Sequence, residues 1–249
     1  MFFLFFLNFL CFFVCESFPI YCPASTEGLS KLFFGPSQQN NEKAWLAWFS
    51  EAQSWKSQLL QNISYKNPFY DNNEFKWTRS NYISPQIQAT DLFLYNSTSN
   101  KFTLDKFISD IQTRCGQIDS VLFWPAYPNM GIDNRNQFDW LASVPGGLKA
   151  LSSLVQQFHS KNIRFYLPYN PWDTGTRRVK ISDGEILHNI LKEIDADGVF
   201  GDTKGEMDEN LFNVTHSVLE PEGGGSFDSM NWTLSAWGED WYEWKTAMY

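Results

Sequence analysis

Residues 182–202 read SDGEILHNILKEIDADGVFGD, and the order of signals in this stretch decides the fold. Ser182 and Glu185 have the spacing of a capping box, in which a hydroxyl and a carboxylate satisfy backbone donors at a helix start. Ile186, Leu187, Ile190, Leu191 and Ile194 follow at helical intervals and form one apolar stripe. Three residues later Gly198 to Gly201 is a short apolar run, and it ends at Asp202. A capped helix handing over at once to a short buried strand is the repeating unit of a parallel sheet.

The same unit recurs upstream. Ile163 to Leu167 predicts a strand, left by Pro168 to Trp172. Before it, Gly146 and Gly147 open a helix that buries Leu148, Leu151, Leu154, Val155 and Phe158, and Asn162 can take the left-handed conformation that ends it. Ser120 to Trp124 (SVLFW) is another buried strand, and the helix before it starts at Thr103 with Leu104, Phe107, Ile108 and Ile111. Tyr82 to Thr90 is the first strand, limited by Pro85, which lacks a ladder donor. Downstream, Thr215 to Leu219 is a fifth strand after a connection with room for one or two helical turns. Glu42 to Gln61 forms a separate amphipathic helix whose Trp45, Trp48, Phe49, Ala52 and Leu59 read as a packing face.

Alternating strands and helices imply parallel pairing through right-handed crossovers. An open doubly wound sheet of this kind binds nucleotides, but no G-x-G-x-x-G follows a strand and no G-x-x-x-x-G-K-[ST] occurs. A (β/α) barrel has no such requirement. A barrel uses about 31 residues per unit, so the stretch from Tyr82 to Tyr249 accommodates about five of eight units. The expectation is an α/β fold, a parallel (β/α) barrel of TIM type that is incomplete, as in a truncated product. It occupies residues 81–249 behind a helix-and-loop extension over residues 18–80.

Met1 to Val14 is apolar apart from Asn8. Such a run is shorter than the roughly 20 residues that span a bilayer and fits a secretory signal over residues 1–17, with Cys15 and Ser17 as the small residues before the cut. The sequence therefore predicts a secreted protein with no membrane attachment after cleavage. The net charge of −9 at pH 7, with no basic stripe, excludes nucleic acid as partner. Signal removal leaves Cys22 and Cys115, which can make one disulfide. Glycan acceptors of the N-x-S/T type stand at Asn62, Asn96, Asn213 and Asn231. The three histidines are far apart and no CxxC occurs, so no metal site or cofactor is expected. Asp133, Asn134, Asn136 and Asp139 offer oxygen ligands, but their spacing matches no EF-hand and suits loop hydrogen bonding.

In a barrel the functional residues follow the C-terminal ends of the strands. Asp202, one residue past its strand, is the first candidate, with Lys204 just beyond it. Asp173 in Tyr169-Asn170-Pro171-Trp172-Asp173 leaves the adjacent strand, and paired carboxylates at such ends break glycosidic bonds. Tyr169 and Trp172 could stack on a sugar ring. Arg177 or Arg178 could orient hydroxyls or pair with Asp202. Glu220 and Glu222 follow the fifth strand, where a raised pKa suits a general acid. Trp124 and Tyr127 complete an aromatic rim, and Asp91 could add a hydroxyl contact.

These residues carry a resemblance. Residues 77–222 resemble the first half of the (β/α)₈ catalytic domain of the α-galactosidase-like and α-glucosidase-like glycoside hydrolases. The pattern D-G-x-x-x-D at Asp197 to Asp202 is similar to their nucleophile-bearing fourth strand. The blocks FWPAYPNMGIDNRNQFD (123–139) and PYNPWDTGTRR (168–178) look closest to a family of large secreted proteins with this barrel. The resemblance implies hydrolysis of O-glycosyl bonds with retention, Asp202 as nucleophile and a carbohydrate as partner. It places the acid/base on a later strand, a position for which Glu222 is the candidate here. The alternative is a secreted glycan-binding protein without catalysis.

Overall fold

The computed structural model describes residues 36, 41–66, 68–69, 71–124, 133–173, 176–224 and 226–236. It divides into two compact units, one with residues 1–67, 226–231 and 240–249, the other with residues 68–225 and 232–239. The segment 68–80, expected in the N-terminal extension, thus belongs to the second unit.

In the first unit, α1 (Glu42–Asn62) starts at Asn41, whose side chain accepts the Ala44 N–H. Along its predicted packing face Leu59 is buried and Trp45, Trp48 and Ala52 are half-buried, while Phe49 is exposed with Trp45 stacked flat on it at 5.0 Å. Trp55 meets Phe227 edge-on at 6.0 Å.

The second unit is built on five parallel strands: β1 (Gln86–Gln88), β4 (Ser120–Trp124), β5 (Arg164–Tyr169), β6 (Gly198–Gly201) and β7 (Val218–Pro221). A two-residue antiparallel hairpin, β2 (Tyr95–Asn96) with β3 (Lys101–Phe102), lies between the first two in sequence. The helices are α2 (Leu104–Cys115), α3 (Gln137–Ala142), α4 (Gly147–His159), α5 (Asp183–Ile194) and α6 (Glu209–Thr215). Strand order in the sheet is β1-β4-β5-β6-β7, strictly that of the sequence. A doubly wound sheet reverses its order at a switch point; this one never does. Its winding is that of a barrel wall, as the sequence predicts.

The two faces of the sheet confirm the winding. Val121, Phe123, Phe165, Leu167, Val199 and Leu219 point to the helices and meet the stripes of α2, α4 and α5 in one core. Alternate residues Leu122, Trp124, Tyr166, Phe200 and Val218 point the other way, to what would be a barrel interior. That face is covered rather than raw. Phe69 and Phe75 are buried on it, with Trp77 and Leu234 packed alongside. Trp77 meets the Tyr166 ring edge-on at 6.0 Å and holds the Arg164 guanidinium over its own face at 5.1 Å.

Local chemistry explains the element ends. Pro85 sits just outside β1, where it needs no donor, and its carbonyl accepts the Leu122 N–H. Asp119 pins the approach to β1 by accepting the N–H groups of Tyr82 and Ile83. Ser182 and Glu185 form the expected capping box, and Asn162 is left-handed at φ 59°. The fifth strand begins at Val218, later than Thr215, because α6 uses two turns and His216 closes it in a left-handed conformation. Helix α3 lies inside the stretch read as loop; Asn136 and Asp139 form a second capping box that the spacing carried unrecognised.

Candidate functional site

Alternation along each strand decides what reaches the inner rim. Phe200 faces inward and Gly201 outward toward Met207, and Asp202 opens the turn that follows. On the neighbouring strand Val218 and Glu220 share the inward parity, and Glu222 follows the strand end with its charge acting on Asp202. The register pairs Phe200 with Glu220 and Gly201 with Pro221, which places Asp202 beside Glu222. Glu222 accepts the backbone N–H of Thr203 at 2.6 Å, and its own N–H donates to the Gly201 carbonyl at 3.2 Å. The Asp202 N–H donates to the Tyr169 carbonyl at 2.8 Å, continuing the ladder to the rim.

Asp202 is buried, and this desolvation, joined by the charge of Glu222, pushes its pKa up to about 6; a hydrogen bond from the Thr203 backbone partly opposes the shift. A carboxyl that is half protonated near pH 6 is able to give and take a proton. One layer below, Glu220 is buried and accepts the Ser235 hydroxyl at 2.6 Å. Burial, and then the Glu220 charge, raises the Tyr166 phenol well above its ordinary value. Tyr166 and Ser235 were not singled out by sequence, because a strand apolar on both faces does not show which alternate residues face inward.

The expected Asp173–Asp202 pair is not formed. Asp173 accepts the Gln137 N–H at 2.7 Å and the Thr176 hydroxyl at 2.6 Å, so it caps α3, whose Phe138 and Leu141 lie in the helix-side core. Arg177 is likewise not a partner of Asp202; it pairs with Asp139 at 2.7 Å. Arg178 pairs with Asp183 and donates to the Asp173 carbonyl at 2.8 Å. Tyr169 is no rim platform, since its ring packs on the helix-side core and its hydroxyl donates to Asp183 at 3.2 Å. Burial there, with the Asp183 charge, pushes its pKa up to about 12.

The remaining candidates are distributed as follows. Trp124 faces inward, buried against Phe200 at 6.1 Å. Trp172 stands on its loop 41% exposed. Lys204 pairs with Asp208 at 2.8 Å, and Asp91 closes a turn by accepting the Phe93 and Leu94 N–H groups. Tyr127 lies outside the described residues. Cys115 is an exposed free thiol, and Cys22, its expected partner, lies outside the described residues. Asn62, Asn96 and Asn213 are exposed, while Asn231 donates to the Ile63 carbonyl and accepts the Lys66 N–H. The oxygens of residues 133–139 are taken up locally: Asp133 by Arg135, Asn136 and Asp139 by the start of α3. Among the described residues no group of three or more His, Cys, Asp or Glu is arranged for a metal ion, and no helix is long and apolar enough to cross a membrane.

No family model and no curated protein matches the chain. Among solved structures it is similar to an alpha-amylase from Malbranchea cinnamomea, at 13% identity and TM-score 0.39, over 61% of this chain and 48% of that one. An alpha-amylase from Geobacillus thermoleovorans, complexed with acarbose, matches at 13% and 0.35 over 57% and 46%. An aldolase from Escherichia coli K12 matches at 7% and 0.32 over 66% and 77%. The chain spans about half the length of the two amylases.

Proposed function

We propose that the chain is part of a secreted glycoside hydrolase, with Asp202 and Glu222 at the inner rim of its barrel wall as the reacting pair. The observation that supports this reading is the raised pKa of Asp202, produced by burial and by Glu222 on the next strand. Two carboxylates held together, one of them half protonated near pH 6, are the equipment of glycosidic bond cleavage. The family resemblance assigns Asp202 the nucleophile role. Its elevated pKa favours proton transfer instead, with Asp202 protonating the leaving oxygen while Glu222 supplies the charge that keeps this proton available.

The pH profile of kcat/KM on aryl glycosides separates the two roles. Proton donation by Asp202 requires activity to fall as pH rises through about 6, and Glu222→Gln should move that limb to lower pH. A nucleophilic Asp202 would give the opposite limb, with activity rising through the same pH. Asp202→Asn should abolish turnover and leave sugar binding in place. Turnover that survives this change removes the proposal. The exposed Trp172 ring on its braced loop favours a second reading, in which sugars are bound without cleavage. Glycan binding by the unaltered chain with no hydrolysis, lost in Trp172→Ala, would select it.

A further inference from the structure

A second feature of this unit lies on the helix side of the sheet, in elements remote in sequence from Asp202 and Glu222. A groove with a cavity volume of about 480 Å³ runs between α4 and the β2–β3 hairpin. Its size falls within the range of small-molecule sites. The floor is Ala150, Ser153 and Gln157 on α4, with Pro145 and the helix N-cap Gly146 at its head. At 1.5 Å rise per residue the helical part runs about 10 Å.

The opposite wall carries rings and an amide. Tyr95 and Phe102 are directly paired across the hairpin and meet edge-on at 5.3 Å. The Tyr95 hydroxyl donates to Oδ1 of Asn100 at 3.3 Å, which fixes the amide beside the ring. On α4, Gln157 donates its Nε2 to the Ser153 carbonyl at 3.2 Å, which orients its Oε1 as an acceptor. Lys101 is the one charged residue of the lining, and no Asp or Glu joins it.

We infer that this groove binds an oligosaccharide. Ring faces suit the apolar C–H face of a pyranose, and oriented amides and hydroxyls suit its hydroxyl groups. An extended peptide is the other occupant that a groove of this length admits, but its affinity would come from a backbone ladder. The side chains here offer amide and hydroxyl chemistry instead. The inference goes beyond the reading of the Asp202 site and does not depend on it.

The experiment is binding of cellohexaose, maltohexaose, xylohexaose and mannohexaose to the full chain carrying Asp202→Asn, followed by NMR and calorimetry. One of the four should bind, with shift changes confined to the hairpin and α4. Gln157→Ala and the groove-filling Ser153→Tyr, both at exposed helix positions, should each weaken it about tenfold or more. Tyr95→Ala should do the same, and the two α4 variants guard against a hairpin that fails to form. Binding by none of the hexaoses overturns the inference. So does binding that survives both α4 changes, or a groove that takes an unstructured peptide and no sugar. Hydrolysis by the unaltered chain is read separately, so failure of one assignment leaves the other standing.

Discussion

The Glu222 carboxylate accepts the Thr203 backbone N–H at 2.6 Å, which fixes a negative charge next to the buried Asp202. The two strand ends are thereby held in an arrangement that opposes ionisation of one of them. Such opposition is a stability cost, and it is concentrated where chemistry is proposed.

That cost has a defined pH dependence. The folded pKa of Asp202 is raised from 3.8 to about 6, so the native state binds its proton more tightly than the unfolded chain. Stability therefore declines as pH rises from about 4 to about 6 and stays lowered above that. Replacing Asp202 by Asn should stabilise the fold at pH 7.5 by about 2–3 kcal/mol, and the difference should vanish near pH 4. Thermal unfolding from pH 3.5 to 8 measures it; a pH-independent difference contradicts the assignment.

At the opposite end of the same strand, Asp197 is a structural carboxylate. It holds His159 at 2.7 Å, Arg164 at 2.8 Å and the Phe165 N–H at 2.8 Å. The hydrogen bond to Asp197 raises the His159 pKa, with Asp195 contributing and Arg164 opposing. The corresponding stability is complete below about pH 6.5 and is lost as pH rises through the higher folded value. Asp197→Asn should cost about 3 kcal/mol at pH 6 and remove this dependence. Denaturant titrations at pH 6 and pH 9 on both proteins provide the check.

Gly198 is required for space. A Cβ there would stand 2.6 Å and 2.8 Å from the Tyr166 ring and 2.9 Å from the Val218 carbonyl. Gly198→Ala should destabilise by about 1–3 kcal/mol. The double change Gly198→Ala with Tyr166→Val should recover part of the loss relative to the sum of the single changes. Additivity of the two would show that the ring is not what the glycine accommodates.

Asp173 and Asp202 should respond oppositely to the same substitution. Asp173→Asn removes an acceptor from the start of α3 and should cost about 1–2 kcal/mol, while any turnover of a folded sample persists. A complete loss of turnover in folded Asp173→Asn protein would return this residue to the reacting pair.

The reading of residues 182–202 carried most of the fold, because a capping box and a 3.6-residue stripe leave little choice about where α5 starts and which side it buries. The hairpin β2–β3 was invisible: two residues per strand carry no periodicity, and its Asn-rich turn resembles any loop. Helix α3 was missed because six residues hold less than two turns of stripe. At the site, Asp202 and Glu222 were legible as carboxylates just past the ends of short apolar strands. Tyr169 and Asp173 were not. In a strand apolar on both faces, sequence does not reveal which alternate set faces inward, and a turn after the strand erases parity altogether.

Gln137 and Asn170 exchange two hydrogen bonds, Nε2 to the Asn170 carbonyl at 2.7 Å and the Asn170 N–H to Oε1 at 2.8 Å. This side chain imitates a strand neighbour, so the first residue of α3 is tied to the residue that follows β5. Any descendant of this chain that loses Gln137 inherits an orphaned peptide group at position 170. Drift in the two segments is consequently expected to be concerted, with length changes arriving in both or in neither.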